Sequence, residues 1–141
     1  IDLQQSLLAR MRPCIDAAFA QEHISEIMEA LNKESRPEFK EFATSTLATM
    51  RKRSPLLMQV SLKAIRRAKN MTLAQALRME RNLVRRTFEH GEVIEGVRAL
   101  VIDKDHAPRW RPAQIDQVSD AMVEHFFSPC WPASLHPLRD L

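Results

Sequence analysis

A segment that follows residue 102 concentrates the side chains best suited to bind a charged ligand. It reads IDKDHAPRWRP and places the cations Lys104, Arg109 and Arg111 near Trp110. A cation beside an exposed aromatic ring can hold a phosphorylated ligand that contains a ring. The alternative is a surface loop in which Trp110 only anchors the chain to the core, and the spacing alone favours this alternative.

Glu80 is a second candidate, because it interrupts the apolar stripe of a predicted helix over 73–88. Burial without a partner would raise the pKa of this carboxyl and let it act as an acid or base. Buried carboxylates are usually paired. We therefore expect a salt bridge from Glu80 to a nearby arginine across a helix interface rather than a catalytic role.

We expect no catalytic residue and no metal site in this chain. The five histidines have no pair three or four residues apart on a predicted helix, which excludes a zinc site of the H-E-x-x-H kind: His23, His90, His106, His125 and His136. No serine lies on a glycine-flanked elbow of the hydrolase type. Asp116 and Asp120 lie one turn apart near a helix start, where the helix dipole explains them as well as acid–base chemistry does.

Glycine is scarce in this chain of 141 residues, which contains only Gly91 and Gly96. Phosphate-binding loops of the Rossmann and P-loop kinds need several closely spaced glycines, so both are excluded. The shortage also argues against sandwiches and barrels with many tight turns. A hydrophobic content of 45% supports one all-α domain with a real core. No apolar run approaches the roughly 18 residues of a membrane span.

Hydrophobic periodicity predicts a series of helices that position these side chains. Their ranges are 3–20 (broken by Pro13), 24–33, 35–53, 55–69, 73–88, 92–102 and 114–127. Ser35, Ser54 and Thr72 are predicted to cap helix starts, and Gly91 suits the turn after the fifth helix. Residues 128–141 contain several prolines and no period, which predicts an extended or disordered tail unless it docks.

The charge pattern adds a basic block to this scheme. The net charge is +3, and residues 42–79 contain no acid but eight cations: Arg51, Lys52, Arg53, Lys63, Arg66, Arg67, Lys69 and Arg78. Such a block can attract phosphates of RNA, of a lipid surface or of a nucleotide-like ligand, although solvated helix faces are the favoured explanation.

The remaining sequence signals concern processing and redox state. Cys14 and Cys130 lack the density of a disulfide scaffold and are expected to be free thiols in a reducing compartment. The chain begins with Ile1 rather than Met, which predicts a removed leader or a longer protein. The first twenty residues lack the apolar core of a signal peptide.

The segment GEVIEGVRALVIDKDHAPRWRPA resembles the C-terminal part of the 3-hydroxyisobutyryl-CoA hydrolase branch of the crotonase (enoyl-CoA hydratase/isomerase) superfamily. The upstream stretch SPLLMQVSLKAIRRAKNMTLAQALRMERNLVRRTFE is similar to the two preceding helices of that branch. IDAAFAQEHISEIMEAL is similar to the segment before them. The resemblance covers residues 14–127, so we expect a helical region at 1–127 and a tail at 128–141.

The resemblance implies that this chain is the helical C-terminal region of a crotonase-like α/β fold. In the family, the catalytic acids and the oxyanion hole for the acyl-CoA thioester lie in an upstream core, so no catalytic residue transfers to this chain. Lys104 matches a family lysine that lies near the CoA phosphates. The resemblance further implies an acyl-CoA substrate in valine breakdown, no cofactor beyond the CoA of the substrate, and helices that cover the core and support homo-oligomers.

A second implication of the same resemblance is structural. Hydrolase-like proteins also occur in the small subunit of the mitochondrial ribosome, where the partners would be ribosomal proteins and rRNA. The basic block suits that alternative, and it equally suits an ordinary basic mitochondrial protein. The C-terminal RDL is not a peroxisomal signal of the SKL type, which favours a mitochondrial location, and no membrane partner is expected.

Overall fold

The computed structural model describes residues 6–141, and within that range the regular elements are all helical. This confirms the predicted all-α class of the chain. Seven α-helices occur in the order α1 Leu7–Phe19, α2 Ile24–Asn32, α3 Pro37–Met50, α4 Pro55–Ala68, α5 Leu73–His90, α6 Glu92–Val97 and α7 Asp120–Phe127. A π-helical turn spans Arg98–Ile102, and short 3-10 turns span Ile115–Gln117 and Ala133–Leu135. The chain divides into two compact units, Ile1–Arg53 and Ser54–Leu141.

The first unit is built from α1, α2 and α3, which pack against one another. Each helix contributes one apolar face at helical spacing, and the residues on these faces are buried. They are Cys14, Ala18, Ile24, Ile27, Leu31, Phe39, Ala43, Leu47 and Met50. The buried thiol of Cys14 has a raised pKa, chiefly because burial disfavours the thiolate.

Pro13 does not divide the first helix, contrary to the sequence prediction. The helix α1 runs through it from Leu7 to Phe19, while the predicted start at residue 3 lies outside the described residues. An interior proline removes one backbone hydrogen bond and costs about 3 kcal/mol. Pro13 is exposed, whereas Cys14 and Ala18 are buried. Burial of that face is the physical reason that the helix continues past the proline.

Ser35 does not cap α3, although the sequence predicted that it would. Pro37 occupies the first helical position, so Arg36 is the capping residue and makes no side-chain cap bond. The guanidinium of Arg36 instead donates to both oxygens of Glu34, at 2.9 and 2.6 Å. These bonds hold the pKa of the Glu34 carboxyl down at about 2. The local ion pair thus replaces the predicted capping box.

The second unit has its core where α4, α5 and α7 meet. Leu56, Val60, Val123 and Phe126 are buried there, and Leu57, Leu83, Val118 and Phe127 pack partly buried around them. The last predicted helix, 114–127, is interrupted. It consists of the 3-10 turn Ile115–Gln117 and then α7, whose capping residue Ser119 accepts from the Met122 amide.

Three predicted helix signals of this unit are confirmed. Ser54 Oγ accepts a hydrogen bond from the Leu57 amide at 3.1 Å. Thr72 and Gln75 form a reciprocal capping box at the start of α5. Gly91 ends α5 with φ 91°, a left-handed conformation that favours glycine.

The apolar face predicted for α5 is largely uncovered within the second unit. No residue of α5 is fully buried, and Leu73, Val84 and Phe88 are exposed, Leu73 to 76%. Ile65 of α4 is also exposed. The helices form because their local signals agree, and Leu83 is the α5 residue that packs against the core shared with α4 and α7.

The tail after α7 docks on α5. The Arg78 guanidinium donates to three backbone carbonyls of the tail, those of Leu138, Arg139 and Leu141, at 3.0, 3.1 and 2.6 Å. Arg86 donates to the Ser128 hydroxyl at 2.9 Å. The sequence predicts an extended or disordered tail unless the tail docks on something, and the structure shows it docked. The division of the chain into a helical region at 1–127 and a tail at 128–141 stays a prediction.

No helix among residues 6–141 combines the length and apolar character needed to cross a membrane.

Candidate functional site

The candidate site is the loop formed by residues 103–111, which follows the π-helical turn. Two of its residues have left-handed backbone conformations, Lys104 with φ 56° and His106 with φ 53°. Such conformations cost non-glycine residues roughly 1–2 kcal/mol each. The surrounding structure must therefore hold the loop in place. The amide of His106 donates to the carbonyl of Ala99 at 3.0 Å, which folds the loop back onto the π-helical turn.

Arg98 is the centre of the network that holds this loop. Its guanidinium pairs with Glu95 at 2.8 Å, with Asp103 at 2.5 Å and with Asp105 at 2.7 Å. It also donates to the Ala107 carbonyl at 3.2 Å. These hydrogen bonds raise the pKa of the Arg98 guanidinium above its already high value. We call this set of residues, Glu95, Arg98, Asp103 and Asp105, the Arg98 network.

Carboxylates of α6 bind the second half of the loop. Glu95 accepts a hydrogen bond from the Arg109 amide at 2.6 Å, and Glu92 accepts one from the Arg111 amide at 3.1 Å. The bonds from Arg98 and from the Arg109 amide hold the pKa of Glu95 down at about 2. Glu92 is 4% exposed. Its Oε1 satisfies one backbone donor, whereas its Oε2 is buried without a hydrogen-bond partner among residues 6–141.

Trp110 packs against the backbone of α6. A Cβ atom added to Gly96 would lie 3.4 Å from Cη2 of the Trp110 ring. The ring is half-buried, so it is not presented as a free stacking surface. The structure therefore favours a Trp110 that anchors the loop to the helix over a Trp110 that stacks on the ring of a ligand.

Lys104 lies exposed in the middle of the anchored loop. Its chain neighbours Asp103 and Asp105 are both engaged by Arg98. In Asp105, a hydrogen bond from the Ala107 amide and the pairing with Arg98 lower the pKa of the carboxyl. Within the part of the chain that the structure describes, no ion pair to Lys104 is recorded. The ammonium group is therefore available to an external anion.

The sequence predicts Lys104 as a ligand contact, which stays a prediction, and it does not predict the Arg98 network. The signal that could have found it is the spacing of Glu92, Glu95 and Arg98, which lie three residues apart and share one helix face. The pairs from Arg98 to Asp103 and Asp105 depend on the return of the loop, which local periodicity does not predict.

Glu80 does not have the environment predicted for it. It is exposed on α5, and no salt bridge to a described residue is recorded for it. Neither acid–base chemistry nor the expected buried pair is therefore supported. Asp120 lies in the first turn of α7, as expected for a helix-dipole role. Among residues 6–141 no cluster of three or more histidine, cysteine or acidic side chains could hold a metal ion.

The basic block is divided by the fold. Arg51, Lys52 and Arg53 belong to the first unit, and the other five cations belong to the second. Lys63 and Arg67 both pair with Glu124 of α7, and the Arg67 guanidinium lies 4.2 Å from the centre of the Phe127 ring. Arg78 binds the tail. Much of the block in the second unit thus stabilises the fold.

Comparison with known proteins agrees with these features. The family model for enoyl-CoA hydratase/isomerase matches residues 2–127. The mitochondrial 3-hydroxyisobutyryl-CoA hydrolase of Gallus gallus is 35% identical over 115 residues, which cover 82% of this chain and 29% of that protein. The small ribosomal subunit protein mS47 of Arabidopsis thaliana is 34% identical over 119 residues, again 82% of this chain and 29% of that protein.

A solved structure has the same fold over most of this chain. The crystal structure of a carnitinyl-CoA dehydratase from Mycobacterium thermoresistibile superimposes with a TM-score of 0.80 at 31% identity, and it covers 90% of this chain and 35% of that one. The chain spans about a third of the length of the relatives that it matches. The hydrolase from Gallus gallus is mitochondrial by name, in agreement with the location predicted from the sequence. With a family model that matches residues 2–127 and relatives above 30% identity, the chain belongs to the enoyl-CoA hydratase/isomerase family, as a helical C-terminal region of the crotonase fold.

Proposed function

We propose that this chain is the C-terminal part of an acyl-CoA thioester hydrolase of the 3-hydroxyisobutyryl-CoA hydrolase type, which acts in mitochondrial valine breakdown. The observation that carries the proposal is the 35% identity to such a hydrolase across 82% of the chain. The thioester chemistry resides in the upstream core, beyond the third of its relatives that this chain spans. The role of this chain is to cover the CoA site and to support assembly.

Lys104 is the residue that we propose for contact with a CoA phosphate. A lysine between two free carboxylates would be attracted to them and would bind a phosphate less well. Here the Arg98 network engages both neighbouring carboxylates, which leaves the charge of Lys104 to a ligand. The anchored backbone on either side reduces the entropy lost when Lys104 binds. No cofactor is needed beyond the CoA of the substrate.

The exposed apolar side chains support a covering role. Large hydrophobic residues are exposed on α5, α6 and the π-helical turn: Leu73, Val84, Phe88, Ile94, Val97, Leu100, Val101 and Ile102. Isolated soluble domains rarely expose so many large apolar groups without a partner. We propose that the upstream core of the same protein, and a second copy in an oligomer, cover them.

The activity is tested on the intact protein with 3-hydroxyisobutyryl-CoA as substrate, by following the release of free CoA thiol. We expect turnover by the intact protein and none by the purified 141-residue chain, since the catalytic acids lie upstream. Absence of CoA release from the intact protein would refute the hydrolase proposal. Turnover by the isolated chain would refute the placement of the chemistry upstream.

A structural role is the second candidate, and one observation favours it. The small ribosomal subunit protein mS47 is 34% identical over the same share of the chain, almost as similar as the hydrolase. In this alternative the intact protein binds rRNA and ribosomal proteins in the mitochondrial small subunit. Co-sedimentation with that subunit in high salt, together with loss of the upstream active-site acids, is the expected result. A protein that sediments free of ribosomes would exclude it.

A further inference from the structure

The tail and α5 line a cavity of about 420 Å³ that is open to solvent on one side. This volume lies within the range of small-molecule sites. Its walls include Arg78 and Asn82 of α5 and Trp131, His136 and Arg139 of the tail. We propose that the cavity binds a small organic acid, with the carboxylate at the two guanidinium groups and the apolar body against Trp131.

The two arginines at the cavity are held in position by the tail backbone. Arg78 uses Nε and Nη2 to donate to the carbonyls of Leu138, Arg139 and Leu141. Arg139 uses Nη1 to donate to the Ser134 carbonyl at 3.3 Å. These bonds leave Arg78 Nη1 and Arg139 Nη2 without a recorded acceptor among residues 6–141. Guanidinium groups fixed in this way can bind a carboxylate without a further loss of side-chain entropy.

His136 and Asn82 contribute buried polar atoms to the same walls. His136 is 9% exposed, and its Nδ1 accepts from the Leu138 amide at 3.0 Å. A ring whose Nδ1 accepts a hydrogen bond has its N–H at Nε2. Both His136 Nε2 and Asn82 Oδ1 are buried and lack a hydrogen-bond partner in the described chain. Buried polar atoms normally have partners. Both atoms are closed to a ligand in the present side-chain arrangement, so Arg78, Arg139 and Trp131 carry the proposed contacts.

The surroundings of Trp131 favour an anion over a cation. The guanidinium groups of Arg81 and Arg85 lie 5.3 and 4.8 Å from the Trp131 ring centre, and the His136 ring meets it edge-on at 5.4 Å. The nearest carboxylates are engaged. Glu89 pairs with Arg85 and Arg86 at 2.7 and 2.8 Å. Asp140 lies 3.4 Å from Arg139, exposed to solvent.

The test uses the intact protein and benzoate as the probe, with neutral benzamide as its uncharged counterpart. Saturation-transfer NMR reports contact of either ring with the protein, and titration calorimetry reports the dissociation constants. We expect benzoate to bind in the millimolar range or tighter, and benzamide to bind at least about tenfold more weakly, because charge-assisted hydrogen bonds are the stronger kind.

Variants locate the binding. Arg139→Gln removes an exposed cavity charge with little risk to the fold, and we expect it to weaken benzoate binding about fivefold or more. Arg53→Gln removes the same charge from the first unit and should leave benzoate binding unchanged. Trp131→Leu removes the proposed apolar contact and should also weaken benzoate binding. Equal affinity for benzoate and benzamide, or equal effects of Arg139→Gln and Arg53→Gln, would overturn the proposal. Activity with 3-hydroxyisobutyryl-CoA is a separate readout and is expected to be unchanged by Arg139→Gln.

Discussion

Arg98 organises the candidate site because three carboxylates share its guanidinium. Glu95, Asp103 and Asp105 lie before and after the π-helical turn, and Arg98 joins them at 2.5–2.8 Å. The stretch from Glu92 to Arg111 contains four acids and four cations, so this stretch is neutral as a whole once Lys104, Arg109 and Arg111 are counted with Arg98. This balance keeps the loop closed while Lys104 stays available to a ligand.

Replacement of Lys104 tests its binding role directly. In the intact enzyme, Lys104→Ala should raise KM for the acyl-CoA more than it lowers kcat, since uniform binding energy is lost. Lys104→Arg should retain much of the affinity because it keeps the positive charge. Lys69→Ala, which removes an exposed lysine elsewhere, is the matched control. An unchanged KM for Lys104→Ala would contradict the phosphate contact.

Glu95 makes the stability of the loop depend on pH. Its pKa falls from an ordinary value of 4.5 to about 2 in the folded protein, so its contribution is complete above pH 4.5 and is lost as the pH falls towards 2. Glu95→Gln should therefore lower the melting temperature at pH 7, with a smaller difference at pH 3. Thermal unfolding at both pH values measures this.

Glu80→Gln is the matched control for Glu95→Gln, because Glu80 is exposed on α5 and no salt bridge to a described residue is recorded for it. It should leave the melting temperature unchanged at both pH values. If the difference between the native protein and Glu95→Gln stayed constant from pH 7 to pH 3, the ion pair with Arg98 would not be its cause.

At the scale of elements, helix starts in the second unit follow local capping signals. Ser54 precedes Pro55 and accepts from the Leu57 amide, and Thr72 and Gln75 cap α5 reciprocally. These contacts involve residues three apart, so the sequence predicts them without knowledge of the fold. The same signal gives a wrong prediction at Ser35. There Arg36 pairs with Glu34, and Ser35 does not cap α3.

The cap at Ser54 has a measurable effect. Ser54→Ala should lower the free energy of unfolding by about 1 kcal/mol, because the Leu57 amide loses its acceptor at a buried helix start. Ser61→Ala, at an exposed position within α4, should change it little. Urea unfolding of the two variants compares them, and equal stabilities would show that the cap contributes nothing.

At the scale of the whole molecule, this chain exposes apolar surface that its own described residues do not cover. Phe88 of α5 is 53% exposed, and Leu100 and Ile102 of the π-helical turn are exposed further. The chain spans about a third of the length of its relatives, and the covering role proposed above assigns this surface to an upstream core. If this assignment is correct, we expect the intact protein to be more stable than the 141-residue chain.

Phe88→Ala tests whether the upstream core covers the Phe88 side chain in the intact protein or leaves it exposed to solvent. In the isolated chain the change should cost little, since the ring is already half in water. In the intact protein it should lower the free energy of unfolding by about 2 kcal/mol or more, as for the truncation of a buried ring. Val60→Ala, which removes a core contact, should destabilise both. Equal effects of Phe88→Ala in both proteins would contradict the proposed cover.

The sequence by itself determined the helical class, most helix limits, the family and the position of Lys104 in a loop. These depend on hydrophobic period, capping pairs and short motifs, all of which act within a few residues. Gly91 illustrates this, because its left-handed φ of 91° follows from its place after the α5 pattern.

The tertiary structure alone decided which of these helices stay continuous and which charges meet. Pro13 lies within α1 because the opposite face is buried, and Glu80 is exposed because nothing in the second unit covers it. Arg78 binds carbonyls about sixty residues further along the chain. Such contacts form only when packing brings distant segments together, and no local pattern encodes that.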